Sequence, residues 1–277
     1  MRIIPVATTN NYYVSNNNKT KNNTPTFQCL RFFRSKSKFQ YVTTNSRGLT
    51  MEDFIKRVKD CHLSNTSYRE GDHIGGASAD AIYHFDNESA KKFFRSPVSA
   101  YSNPNEYNYH GDTTLTAACR YADKELFDLV MADSRIDVNK REHEKEDDRY
   151  DPPLNVVMHG ENPKVADCII HKIKTLLDKG ADVNAGDQYN NTLAMLASGA
   201  GRIGRYYGSG IVYLVPEGCC GWNADLRGIG NEVLRMLAER DDVKFDTKNK
   251  AGQSALDIAK MTGNEEGVKI ITGKLNK

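Results

Sequence analysis

The feature that most constrains this 277-residue chain is a short unit that recurs in its C-terminal half. GDTTLTAAC at Gly111–Cys119 and AGQSALDIAK at Ala251–Lys260 share one order: Gly, a polar residue, Thr or Ser, a small residue, Leu, a polar residue, an apolar residue and Ala. DPPLNVVM at Asp151–Met158 and NTLAMLAS at Asn191–Ser198 are degenerate copies between them. A second element follows three of the copies at a distance: Asp137-Val138-Asn139, Ala181-Asp182-Val183-Asn184 and Asp242-Val243-Lys244. Internal recurrence of this kind fixes an architecture before any single residue does, and it moves the expectation from catalysis towards binding.

The pattern resembles the ankyrin repeat, with its period of about 33 residues and its T-P-L-H-x-A mark. Thr113-Thr114-Leu115-Thr116-Ala117-Ala118, Pro152-Pro153-Leu154-Asn155-Val156-Val157 and Ser254-Ala255-Leu256-Asp257-Ile258-Ala259 carry the mark, and Thr192-Leu193-Ala194-Met195-Leu196-Ala197 is the loosest copy. LLDKGADVNAGDQYNNT at Leu176–Thr192 reads like one ankyrin repeat running into the next. The resemblance implies that the Thr caps a first helix, that Leu and Ala face its partner helix, and that Gly-Ala-Asp-Val-Asn begins a protruding β-hairpin. Departures are plain. No copy keeps the His, only Gly111 and Gly252 keep the Gly two residues before the Thr position, and Tyr150 and Asn190 stand in the others. The copies are spaced by 39, 40 and 62 residues.

Periodicity agrees with paired short helices. Leu115, Ala118 and Cys119 share one helical face, as do Leu126, Leu129 and Val130 in the next segment. A helix pair this short buries its apolar face only against stacked neighbours. Thr113 and Ser254 supply N-cap oxygens. Lys269, Lys274 and Lys277 give the last segment a basic end suited to a terminal cap. The expected fold class is all-α: an ankyrin-like helix-turn-helix solenoid with short β-hairpin tips, an irregular helical N-terminal cap and a disordered N-terminal arm.

The expected domains are an arm at 1–50, a cap at 51–107 and about four ankyrin-like repeats at 108–277 with a large insert near 199–230. Residues 1–50 hold eight basic side chains and no Asp or Glu, leaving the remainder at −6 although the whole chain is +2. The arm is rich in Asn, Thr, Ser and Lys, as disordered segments are. FQCLRFFRSKSKFQYV at Phe27–Val42 mixes aromatics with cations and fits a contact to nucleic acid or an anionic surface, against the plainer reading of a solvated arm. The N-terminus lacks a secretory h-region; it is acid-poor like a transit peptide, but Asn and Tyr crowd it. No apolar run approaches the roughly 18 residues of a membrane span. In the cap, Thr50 precedes a helix expected at Met51–Leu63 with Phe54, Val58 and Cys61 as its apolar stripe, and a second helix is expected at Ala79–Phe94.

Insertions mark what is particular to this chain. The intervals from the Thr position to the hairpin Asp are 24, 30 and 50 residues, and the return intervals are 15, 10 and 12. The family expects about 23 and about 10. REHEKEDDR at Arg141–Arg149 lengthens the first tip. It reads as a solvated loop end able to present charge to a basic partner. VADCIIHKIKTLL at Val165–Leu177 is expected to be a long helix with Val165, Ile169, Ile173 and Leu176 on one face. The stretch near Gly199–Gly230 concentrates Arg202, Arg205, Tyr206, Tyr207, Tyr213 and Trp222, residue types that dominate interface hot spots. IVYLV within it signals a short strand.

Chemistry is weighed against this background. The G-x-G-x-x-G of Gly199–Gly204 follows an expected helix rather than a strand, so it reads as a turn and not as a dinucleotide fingerprint. Cys61-His62, His73 and His84 fit no zinc spacing. Cys119 and Cys168 occupy apolar helix positions, as reduced thiols in a reducing compartment do, and the adjacent Cys219-Cys220 pair is the exception, open to oxidation or metal binding against the plainer reading of free thiols. The expectation is a non-enzymatic interaction module without cofactor or metal, binding another protein through Arg141, Tyr150, Gln188 and Tyr189 on the concave ankyrin surface and through the aromatic insert. The alternatives are an effector enzyme with Cys219 or Cys61 as nucleophile, and nucleic-acid association through the arm. The eroded, insert-laden repeats look like those of ankyrin proteins that intracellular bacteria use on host proteins, which implies a cytoplasmic protein or one secreted into a host cell.

Overall fold

Polar caps followed by apolar residues at helical spacing divide the chain into short helices. The computed structural model describes residues 49–64, 74–143, 150–158, 168–200 and 226–276, and the backbone of 203–205 and 212–214. Expectations for residues 1–48 lie outside them. The described residues are mostly helical.

The first helix, α1 (Met51–Ser64), starts on a reciprocal cap in which Thr50 Oγ1 accepts from the Asp53 amide at 3.1 Å and donates to the Asp53 carboxylate at 2.8 Å. The stretch expected as one helix at 79–94 is two, α2 (Ala77–His84) and α3 (Asn87–Arg95). Asp86 breaks it: its backbone is extended, and its side chain accepts from the Ser89 amide at 2.9 Å to cap α3. There follow α4 (Thr114–Tyr121), α5 (Lys124–Met131), α6 (Pro153–Val157), α7 (Ile169–Asp178) and α8 (Leu193–Ser198). After β1 (Ile203–Arg205) and β2 (Val212–Leu214), the described chain closes with α9 (Leu226–Ala238), α10 (Ala255–Met261) and α11 (Glu265–Leu275). The two strands pair antiparallel with Gly204 opposite Tyr213, so the strand expected in IVYLV is present.

Helices α2, α4, α6, α8 and α10 contact one another in sequence as one row, and α3, α5, α7, α9 and α11 form a second row behind it. Each helix of the first row packs on its successor in the second, so pairs follow one another and α2–α3 is the first of five among the described residues. The main core lies between the rows: Leu115, Ala118, Leu126, Phe127, Leu154, Ile173, Leu176, Leu193, Leu234 and Ile258 are all buried. On α5 the buried face is Leu126, Phe127, Val130 and Met131, with Leu129 only partly covered. A smaller cluster of Met51, Phe54, Val58, Phe85 and Phe93 joins α1 to α2 and α3.

Caps vary from helix to helix. Thr113 and Ser254 form capping boxes with Thr116 and Asp257. Thr192 precedes α8 without a side-chain cap, whereas Asp123 caps α5 on the Leu126 amide at 2.9 Å. The expected long helix at 165–177 is described only from Ile169; Cys168 is a turn residue and 165–167 lie outside the described residues. Glycine does not keep α9 from beginning at Leu226, well inside the expected insert. A Cβ on Gly230 would stand 2.4 Å from the Ala197 carbonyl oxygen, so a bare Cα is what lets α9 lie against the end of α8.

Candidate functional site

The loops that lead into the first row of helices are the chain's most regular polar construction. At Asn108, Asp187 and Asn249 the side-chain oxygen accepts from the amides two and four residues ahead, at 2.8–3.0 Å. The same residue's amide closes each loop on the carbonyl four residues on. A left-handed residue follows in each: Gly111, Asn190 and Gly252 have φ between 63° and 79°. Asn190 replaces Gly there because Asn is the non-glycine residue that best tolerates this region. Each loop is a turn held by two backbone hydrogen bonds, with no strand assigned to it, where the resemblance leads one to expect β-hairpin tips.

Asparagines bridge each loop to the next. Asn105 Oδ1 accepts from the Asp137 amide and its Nδ2 donates to the Arg135 carbonyl, at 2.8 and 2.7 Å. Asn139 does the same to Asp182 and Gly180, and Asn184 to Lys244 and Asp242. Lys244 therefore holds the place of Asp137 and Asp182. The third element is Lys244-Phe245-Asp246, two residues later than the Asp242-Val243-Lys244 register expected from sequence. Its return interval to Ser254 is then ten residues, the same as from Asp182 to Thr192.

The second loop departs from this frame. It closes from the Glu142 amide to the Asp151 carbonyl, nine positions apart, at 3.1 Å. Glu142 stands where the others have Asn or Asp, and it turns inward to a buried ion pair with Arg120 of α4. Burial opposes the Arg120 charge, but Asp112 and Glu142 outweigh it and hold the guanidinium firmly protonated. The base of the lengthened loop is thus pinned to α4 by charge.

On this base stands a row of cations and rings. Lys140 Nζ lies 5.0 Å from the centre of the Tyr107 ring, and the Arg141 guanidinium lies 5.3 Å from that of Tyr150. His143 sits between, with ring centroids 5.9 Å from Tyr107 and 6.1 Å from Tyr150. Arg141 Nη1 donates to the carbonyls of Tyr150 and Gly186, at 3.1 and 2.5 Å, which fixes the guanidinium. The Tyr150 amide donates to Gln188 Oε1 at 2.9 Å. The Tyr189 carbonyl accepts from the Lys250 amide of the following loop at 2.9 Å. Tyr109 and Tyr150 remain 76% and 47% exposed. Tyr83 stacks on His110 at 3.9 Å and meets Tyr121 edge-on at 5.4 Å.

The structure therefore brings Arg141, Tyr150 and Gln188 together and sets Tyr189 next to them. Sequence reasoning missed Tyr107, Lys140 and His143. The aromatic cluster of Tyr107, Tyr109 and His110 directly before Gly111 was a signal for that side alone, and only the neighbouring loops lying side by side bring Lys140 and His143 to it. Of the insert residues, Arg202, Tyr206, Tyr207 and Trp222 lie outside the described residues, while Arg205 and Tyr213 fall on β1 and β2, where only the backbone is described.

Among the described residues, Cys119 and Lys172 are tied into the core. Burial pushes the Cys119 thiol up to about 12, the opposite of what a nucleophile needs. Cys61 is half-buried on α1, and Cys219 and Cys220 lie outside the described residues. Lys172 is buried and donates to the carbonyls of Ala118, Cys119 and Ala122 at 2.7–3.0 Å, so it finishes the end of α4. Among the described residues no group of His, Cys, Asp and Glu is placed to hold a metal ion, and no helix is long and apolar enough to cross a membrane. Neither a protein-family model nor a curated protein matches the sequence.

Proposed function

We propose that this chain is a non-enzymatic protein-interaction module of ankyrin-like build, whose partner lies across the loops and first-row helices. The observation that carries the proposal is the recurring loop frame at Asn108, Asp187 and Asn249 beside the aromatic–cation row it displays. Tyr supplies large contact area at small entropic cost, and Arg141 is held by two carbonyls before a partner arrives. Arg141, Tyr150, Gln188 and Tyr189 are the central contacts in this reading. Arg202, Arg205, Tyr206, Tyr207, Tyr213 and Trp222 add a second contact through the insert, on the strength of their residue types. A host protein met by a bacterial effector is the setting that the sequence resemblance favours.

The test is affinity purification with mass spectrometry from candidate host lysates, using the full chain and two variants. A partner recovered by the wild type is expected to be lost with Tyr150→Ala/Tyr189→Ala and reduced with Tyr207→Ala/Trp222→Ala. Recovery unchanged by the first pair removes the loop face from the account; recovery unchanged by the second removes the insert.

A further inference from the structure

Five side chains from two neighbouring loops make one continuous strip: Lys140, Tyr107, His143, Tyr150 and Arg141. We propose that this strip takes an extended acidic peptide segment of the partner, an inference that rests on the loop face being the partner surface. The argument is one of charge accounting. Several carboxylates of these loops and the next are turned inward, while Glu106 and Asp137 stay exposed and accept from the Asn103 side chain and the Asn139 amide. Asp112 accepts from Thr116, Glu142 pairs with Arg120, Asp187 accepts from the amides of Tyr189 and Asn191, and all three are buried, as is Asp151. The two cations face rings instead. Among the described residues no carboxylate lies within ion-pair distance of Lys140 or Arg141, in contrast to Arg135 with Asp133 at 2.6 Å or Lys248 with Asp257 at 2.6 Å.

A guanidinium held by two carbonyls has little rotamer freedom left to lose, and its remaining N–H groups suit a carboxylate. Rings beside the cations supply apolar area for the peptide's side chains and backbone. The acidic character follows from Lys140 and Arg141, the extended form from the strip's run along successive loops. The acidic run Glu144–Asp148 next to it in sequence favours a basic ligand instead, and the experiment is built to separate these outcomes.

The probe is a random dodecapeptide phage library selected on the immobilised full chain, with the best peptide then measured by fluorescence anisotropy. Enriched peptides are expected to be net negative. Lys140→Glu is expected to weaken the best one by about tenfold, and raising the salt to weaken it further. Replacing Glu144, Glu146, Asp147 and Asp148 by their amides is expected to tighten it. Lys140 makes no side-chain hydrogen bond among the described residues, so its variant is expected to keep the wild-type circular dichroism; Tyr107→Leu, expected to weaken binding without changing charge, serves as the second probe. Neutral or basic peptides that are lost with Tyr150→Ala overturn the acidic ligand while leaving the loop face as the partner surface. Absence of any enrichment overturns both, and tighter binding of a 20-nucleotide oligothymidylate than of any peptide assigns the strip to nucleic acid and overturns the proposal.

Discussion

Lys172 shows at the scale of one residue how this fold uses charge internally. Its ammonium is dry, finishes three carbonyls at the end of α4, and lies 5.6 Å from the Phe127 ring centre. Burial pushes its pKa below the ordinary lysine value, with Cys168 and Cys119 opposing. Between that lowered value and the unfolded value of about 10.4, the unfolded chain binds more protons, so Lys172 makes stability rise with pH across that window. Lys172→Met removes the rise and leaves the carbonyls short of a donor, at a cost of about 1–3 kcal/mol. Urea midpoints measured at pH 7 and pH 10 are expected to show the wild type pulling further ahead of Lys172→Met at the higher pH. A gap that stays constant or narrows contradicts the assignment. The residue was not legible in sequence, because periodicity treats Lys as a solvent-facing residue and the carbonyls that hold it belong to a helix some fifty positions earlier. Cys119 and Cys168 were legible as buried thiols, since a small apolar group at a core position needs no distant partner.

At the scale of elements, what was legible followed local chemistry. The caps at Thr113 and Ser254, the buried stripe of Phe54 and Val58, and the face of Ile169, Ile173 and Leu176 depend on residues within a turn or two, and they stand where the sequence puts them. Two elements did not. The third loop element was read from its Asp-Val pair, whereas the loop is fixed by the Asn184 bridge to Lys244 and by its distance to the Ser254 cap. The start of α9 was hidden by Gly228 and Gly230, which lower helix propensity; the gain that offsets this is close approach to α8, a tertiary effect. Gly230→Val places a branched side chain against the Ala197 carbonyl and is expected to cost about 1–3 kcal/mol, read as a lowered thermal midpoint. An unchanged midpoint would mean that α8 and α9 do not meet in this way.

Across the described residues, the two rows of helices and the loops beside them form one construction in which each pair meets the next through the core, through Lys91 and Lys172, and through the asparagine bridges. The succession of pairs was foreshadowed by the recurring Thr/Ser-x-Leu-x-x-Ala unit, but α2–α3 was not, because its sequence carries none of that unit and only its contacts place it first in the rows. The candidate site was half legible: Arg141, Tyr150, Gln188 and Tyr189 came from the loop positions, while Tyr107, Lys140 and His143 required the neighbouring loops to be side by side. Everything proposed for partner binding needs those loops to be bonded to one another as a single ledge. Backbone amide exchange by NMR tests this directly at Asp137, Asp182 and Lys244, whose amides donate to Asn105, Asn139 and Asn184. The prediction is slowed exchange at all three in the wild type, with Asn139→Ala releasing Asp182 and leaving Asp137 protected. Free-peptide exchange at these amides in the wild type would contradict it.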